Sequence, residues 1–282
     1  MSIELNKFYI GESVQFMKEN IPDNFVDLTV TSPPYDSLRS YKGFIFDYQS
    51  MFKELYRVTK LGGVVVWIVG DKTEKGSESL TSFKHALYAK EIGFNVHDTM
   101  IYEKSTSPFP ESNRYNQKFE YMFILTKGKP KTTNLLKEIA HSNLNRLGKK
   151  DGSYRQQNGD IEHGKYDSRK KDKTKGNIWY YAVGMNCTTK DKIAFQHPAQ
   201  FPEQLALDHI LSWSNEGDIV LDPMCGSGTV AKMAFLNNRN FIGIDMSEEY
   251  INNICIPRLE MYEWKNNMID DIDICDSNNI IN

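Results

Sequence analysis

A chain of 282 residues that is 40% hydrophobic and 25% charged can bury one large core or two modest ones. Its formal net charge of -3, taken whole, discourages a nucleic-acid partner, because phosphate contacts need Lys and Arg. The start of the chain has no basic flank followed by an apolar stretch, and no run of about eighteen apolar residues occurs, so neither secretion nor membrane insertion is expected and a cytoplasmic location is the default.

Lys7 to Gly11 predicts a short strand, Ser13 to Asn20 a helix, and Val26 to Thr31 a second strand. That strand must stop at Ser32-Pro33-Pro34-Tyr35, because proline has no N–H for a central ladder. Met51, Leu55 and Val58 at helical spacing predict a helix that runs to Gly62-Gly63, and the unbroken apolar run Val64 to Val69 predicts a strand buried on both faces. A helix near Phe83 to Glu91 follows, then apolar stretches at Val96 to Tyr102 and Tyr121 to Leu125. Order then fades: Gly128 to Lys190 is polar, without a strong period. It returns with a helix over Pro202 to Trp213, a strand at Ile219 to Leu221, a glycine turn, a helix at Val230 to Leu236 and a strand at Phe241 to Ile244. This alternation predicts a doubly wound, Rossmann-like α/β sheet. Residues 1–127 and 191–265 are expected to form one catalytic domain, 128–190 an insert, and 266–282 a loosely ordered tail.

Charge is unevenly distributed. Lys127 to Lys175 holds 14 Lys or Arg against 6 Asp or Glu, while the remainder holds 20 against 31. Such a stretch is either a solvated surface loop or a nucleic-acid footprint, and its company decides between them. The four cysteines, at 187, 225, 255 and 275, form no CxxC pair, so reduced thiols are expected rather than a zinc site or disulfide framework, and no metal is predicted.

Two turns carry candidate chemistry. In Asp222-Pro223-Met224-Cys225-Gly226-Ser227-Gly228-Thr229, between a strand and a helix, the glycines allow a ligand close to the backbone. Asp245, ending the next strand, is placed to accept the hydroxyls of a ribose. The turn lacks the GKS or GKT ending of a phosphate cradle and Asp222 would repel a phosphate, so a neutral or cationic nucleoside such as S-adenosylmethionine suits it better than a triphosphate. The second turn is Ser32-Pro33-Pro34-Tyr35. Its stiff backbone aims the Ser32 hydroxyl and the Pro33 carbonyl outward as two acceptors, and Tyr35 offers a face for stacking.

Together these motifs resemble the β-group amino-methyltransferases of DNA, in which the catalytic motif precedes the cofactor motif and a target-recognition region separates them. SPPY at 32 to 35, the basic insert and DPMCGSGT at 222 to 229 reproduce that order, and His197 to Leu205 (HPAQFPEQL) is similar to the motif that stands just before the glycine loop. The resemblance spans Phe8 to about Tyr262. It implies that Ser32, Pro33, Pro34 and Tyr35 form the catalytic turn. It also implies that Asp222, Gly226 and Gly228 line the methionine end of S-adenosylmethionine, Asp245 its ribose, and Phe201 and Pro198 its flanks, with Pro223, Cys225 and Thr229 also among the cofactor-binding residues. The family usually shows Gly-Asp after the first strand, serving the adenine, where this chain has Gly11-Glu12, so the resemblance implies that Glu12 makes a similar bond. Serine opening the catalytic motif favours cytosine N4 over adenine N6. The resemblance thus implies a site-specific DNA (cytosine-N4) methyltransferase acting on duplex DNA, and it leaves room for a cognate restriction endonuclease acting on the same site and for a homodimer. Under it the basic insert becomes the DNA surface, and Asp71, Glu120 and Tyr121 become candidate pocket members. RNA or small-molecule methylation and a non-catalytic DNA-binding module are the rival readings.

Overall fold

The computed structural model describes residues 3–34, 46–106, 113–139, 153–163 and 172–263. Two compact units divide the chain: Met1–Asn134 with Asn177–Asn282, and Leu135–Gly176.

The larger unit opens with Lys7–Ile10 (β1), Ser13–Asn20 (α1), Val26–Thr31 (β2), Tyr48–Val58 (α2) and Thr59–Val69 (β3). A short hairpin, Thr73–Glu74 (β4) with Ser77–Glu78 (β5), precedes Thr81–Glu91 (α3), Asn95–Lys104 (β6) and Phe119–Thr126 (β7). The smaller unit contributes Lys137–Ile139 (β8), Ser153–Arg155 (β9), Ile161–His163 (β10) and Asp172–Thr174 (β11), in two antiparallel ladders that pair β8 with β11 and β9 with β10. The larger unit resumes with Ile178–Tyr181 (β12), a 3-10 turn at Lys192–Gln196, Glu203–Trp213 (α4), Ile219–Asp222 (β13), Thr229–Leu236 (α5) and Asn240–Asp245 (β14). It closes with Glu248–Tyr250 (α6), a π-helical turn at Ile251–Cys255 and Ile256–Glu263 (α7).

One eight-stranded sheet, ordered β1-β14-β13-β2-β3-β7-β6-β12, organises the larger unit. Among the described strands of this sheet only β7 runs antiparallel to its neighbours, so the carboxyl ends of the other seven share one edge. The α/β class expected from the alternation is the one observed. The run Val64 to Val69 is buried throughout, as its apolar character requires. Side chains alternate between faces: Phe123 joins the cluster formed with Met17, Phe52 and Trp67, whereas Met122 meets His209 of α4. Local capping sets where helices begin. Asp47 accepts from the Gln49 and Ser50 amides at the start of α2, and Arg57 of α2 donates to the Met17 and Ile21 carbonyls, closing the end of α1.

Three expectations change. Strand β3 begins at Thr59, so Gly62 and Gly63 lie inside it rather than ahead of it. A Cβ on Gly63 would come within 2.7 Å of the Thr59 methyl and 2.9 Å of the Asp27 carbonyl, so close packing against β2 requires glycine there. The compact insert is 135–176, narrower than 128–190, because Trp179 and Tyr181 are buried and β12 pairs with β6 in the main sheet. The helical run from Glu248 to Glu263 was not anticipated at all. The expected tail, 266–282, lies outside the described residues. No helix among them is long and apolar enough to cross a membrane.

Candidate active site

Strands β2 and β13 are parallel neighbours, with Leu28 opposite Val220 and Thr29 opposite Leu221. Their carboxyl ends therefore bring the Ser32-Pro33-Pro34 corner beside the Asp222 corner. The Thr31 hydroxyl donates to Asp222 Oδ1 at 2.8 Å, a buried bond between residues 191 positions apart. Pro33 is buried, and Ser32 and Pro34 are half-buried. Tyr35 lies outside the described residues.

The glycine turn is held from several sides. The Cys225 amide donates to the Ile244 carbonyl at 2.9 Å and the Gly228 amide to the Cys225 carbonyl at 2.7 Å. Gly226 and Gly228 have φ of +50° and +74°, a left-handed backbone that favours glycine. A Cβ on Gly226 would stand 2.8 Å from the His197 ring, so that ring closes over the turn only because the residue is glycine. Thr229, buried, starts α5, and the Ser13 hydroxyl bonds the Pro223 carbonyl from the start of α1.

Asp245 ends β14, next to β13 on one side and β1 on the other. Its carboxylate accepts from the Gly226 amide at 2.8 Å and from the Ser247 amide at 2.9 Å, one bond on each oxygen. A carboxylate oxygen accepts more than one bond, so hydroxyl donors can still be received. Glu12, just beyond β1, is the N-cap of α1: its two oxygens take the Val14 amide at 3.0 Å and the Gln15 amide at 2.7 Å. His197 accepts from the Ala199 amide at 3.2 Å and packs edge-on against Tyr250, which orients the segment bearing exposed Pro198 and half-buried Phe201.

The fold thus gathers Ser32, Pro33, Pro34, Asp222, Pro223, Cys225, Gly226, Gly228, Thr229, Asp245 and Glu12 along one sheet edge. It gives other sequence candidates structural partners. Asp71 accepts from the Ser82 amide and hydroxyl at the start of α3, Glu120 is buried in an ion pair with Lys104, and Tyr121 stacks on Phe123. Reasoning from the sequence missed Thr31, Ser13 and the shielding by His197. Thr31 could have been suspected as the polar end of an apolar strand; nothing local marks the other two.

Electrostatically the site is short of positive charge. Burial pushes the Asp222 carboxyl up to about 7; Asp245 adds to this, while the Thr31 hydroxyl and the Met224 amide oppose it. Both of those hydrogen bonds reach Oδ1. Among the described residues neither Asp222 nor Asp245 forms an ion pair, so the local charge of the two carboxyl groups is negative whenever they are ionised. Burial, and then the Cys255 thiol, push the Cys225 thiol well above its ordinary range, which makes it inert as a nucleophile. No group of three or more His, Cys, Asp or Glu among the described residues is placed to hold a metal ion.

Comparison with known proteins agrees with this architecture. The N6_N4_Mtase family model, described as DNA methylase, matches residues 26–255. The orphan methyltransferase M.BamHII of Bacillus amyloliquefaciens is 59% identical over 249 residues, covering 87% of this chain and 93% of that protein. The type II methyltransferase M.BglII of Bacillus subtilis is 28% identical over 258 residues, covering 88% and 67%. Among solved structures, the cytosine-N4-specific PvuII DNA methyltransferase superposes with a TM-score of 0.63 at 18% identity, over 94% of this chain and 93% of that one.

Proposed function

The chain belongs to the N6/N4 DNA methylase family, and from that premise we propose that it transfers the methyl group of S-adenosylmethionine to the exocyclic N4 amino group of cytosine in duplex DNA. The observation that carries this reading is the meeting of the Ser32-Pro33-Pro34 corner with the glycine turn, tied by the Thr31–Asp222 bond.

The site's chemistry fits the cofactor. Two carboxylates without a cationic partner among the described residues suit a ligand with sulfonium and ammonium charges, and Asp245 is oriented by two amides as a hydroxyl acceptor. S-Adenosylmethionine, when bound, supplies the electrophilic methyl group. Asp222, Gly226 and Gly228 would line its methionine end, with Pro223, Cys225 and Thr229 also binding it, Asp245 would hold its ribose, Glu12 would serve its adenine, and Pro198 and Phe201 would flank it.

A base inside a duplex is out of reach, so the target nucleotide must be extruded into the pocket. Ser32 and the Pro33 carbonyl would accept the amino hydrogens, favouring a more tetrahedral nitrogen whose lone pair faces the methyl, and Tyr35 would stack on the base. Serine has no useful basicity at neutral pH. Its part is positioning and the stabilisation of charge developing on nitrogen, with the proton leaving afterwards to solvent.

Cytosine is preferred over adenine on two grounds: the serine that opens the motif, and the cytosine-N4 specificity of the PvuII enzyme, whose fold this chain shares. Residues 135–176 would form the DNA-recognition surface. A cognate endonuclease is not required by this reading, since M.BamHII is described as an orphan methyltransferase.

The test is to incubate the protein with methyl-labelled S-adenosylmethionine and duplex DNA, digest the DNA, and identify the modified nucleoside by mass spectrometry. N4-methylcytosine is the expected product. N6-methyladenine would overturn the base assignment, and label found only in RNA or small molecules would overturn the substrate. Ser32→Ala should lower turnover by about 10²-fold or more while cofactor affinity stays unchanged, and wild-type turnover in that variant would remove Ser32 from the mechanism.

A further inference from the structure

Against the glycine turn lies a buried ion network that the proposed chemistry does not use. Arg258 of α7 is 1% exposed. Its Nε donates to Asp191 Oδ2 at 2.7 Å, its Nη1 to the Ser227 carbonyl at 2.8 Å and to Thr229 Oγ1 at 3.1 Å, and its Nη2 to the Glu203 carboxylate and to Thr189 Oγ1. Lys232 of α5, 4% exposed, shares the two carboxylates, donating to Asp191 Oδ2 at 2.8 Å and Glu203 Oε1 at 2.7 Å, and also donates to the Tyr262 hydroxyl oxygen at 2.9 Å. The Tyr262 hydroxyl in turn donates to Asp191 Oδ1. Burial works to raise the Asp191 carboxyl, but the bonds from Lys232, Tyr262 and Arg258 outweigh it and hold the group down at about 2, so it stays ionised.

Two cations face two carboxylates, so the cluster is neutral. Stability alone is a weak reason to keep it, because well-packed apolar residues often serve as well as a buried ion pair. The two cations differ in what else they touch. Of the two cationic side chains, it is that of Arg258 that reaches the glycine turn, at the Ser227 carbonyl between the two left-handed glycines. A turn with two glycines has many accessible conformations, and a ligand that had to order it would bind more weakly. The guanidinium removes that freedom: it pins the peptide that follows Ser227 while its other arms are anchored on Asp191 and Glu203. A single ammonium lacks the planar fork needed to satisfy these directions together.

We infer that Arg258 is a positioning residue, which presets the glycine turn for S-adenosylmethionine; the inference rests on the reading that this turn holds the cofactor. Calorimetric titration of S-adenosylmethionine into wild type, Arg258→Lys and Lys232→Met, with steady-state kinetics on duplex DNA, tests it. Arg258→Lys should weaken cofactor binding and raise the cofactor KM about tenfold or more, with DNA KM and kcat at saturating cofactor within about twofold of wild type. Lys232→Met should lower Tm yet leave cofactor affinity within about twofold of wild type. Wild-type cofactor affinity in Arg258→Lys, or an equal loss in Lys232→Met, would overturn the inference. If Arg258→Lys does not fold, Asp191→Asn takes its place: weakened cofactor binding is the expected result, and wild-type affinity overturns the inference. A wild-type protein that binds no S-adenosylmethionine would instead sink the reading on which it rests.

Discussion

Asp222 is a buried carboxyl group whose charge is set by its surroundings. Its ordinary value is 3.8, and burial lifts it to about 7. Between those values the folded protein keeps a proton that the unfolded chain has released, so stability should fall as pH rises through that window. A cationic ligand favours the ionised form, so binding should release a proton below about pH 7. Melting curves of the ligand-free protein from about pH 4 to 7.5 should show the decline, and Asp222→Asn should flatten it. Titrations in buffers of different ionisation enthalpy would detect the proton; no release near pH 6.5 would show that the cofactor does not meet this carboxylate. At this scale the sequence was informative wherever a residue acts through its own geometry, as Pro33 and Gly226 do. It was silent on Arg258, whose partners come from three separate stretches of chain, and it read Glu12 only as a cofactor ligand, not as the cap of α1.

Strand β12 shows how an element can be hidden. Ile178-Trp179-Tyr180-Tyr181 alternates exposed and buried, but four residues inside a long polar stretch give too short a period to recognise. Its place in the sheet is secured by tertiary contacts: Trp179 stacks on His209 of α4, and the Tyr181 hydroxyl donates to Asp208 Oδ2 at 2.6 Å, while Gln204 donates to Oδ1 at 2.7 Å. Burial, with Asp208 adding to it, pushes the Tyr181 phenol far above its ordinary range, so it remains a neutral donor. Tyr181→Phe removes the donor to Oδ2 and should cost about 1–3 kcal/mol, measurable by urea unfolding. A change below about 0.5 kcal/mol would mean that this bond does not hold β12 in place. By contrast β2, α1 and β14 were legible in advance, because apolar periodicity and proline or glycine punctuation act over a few residues.

For the whole molecule, charge separates what the net value conceals. Residues 135–176 carry 11 Lys or Arg against 6 Asp or Glu, although the chain as a whole is acidic. If this unit meets the phosphates, DNA affinity should fall steeply with salt, and replacing Arg169, Lys170 and Lys171 together by Ala should reduce the slope of log K against log salt by up to about 3. Cofactor affinity should stay unchanged. A flat salt dependence in the wild type would place DNA elsewhere. The sequence by itself determined the alternating elements, the proline stop after β2, the glycine bend after β13 and the basic stretch, since each follows from steric or hydropathic rules acting within a short window. Only the tertiary structure decided that Thr31 reaches Asp222, that Asp222 is desolvated enough to hold a proton, and that Arg258 grips the turn. Strand register and burial are set by partners far away in the chain, and no local pattern encodes who those partners will be.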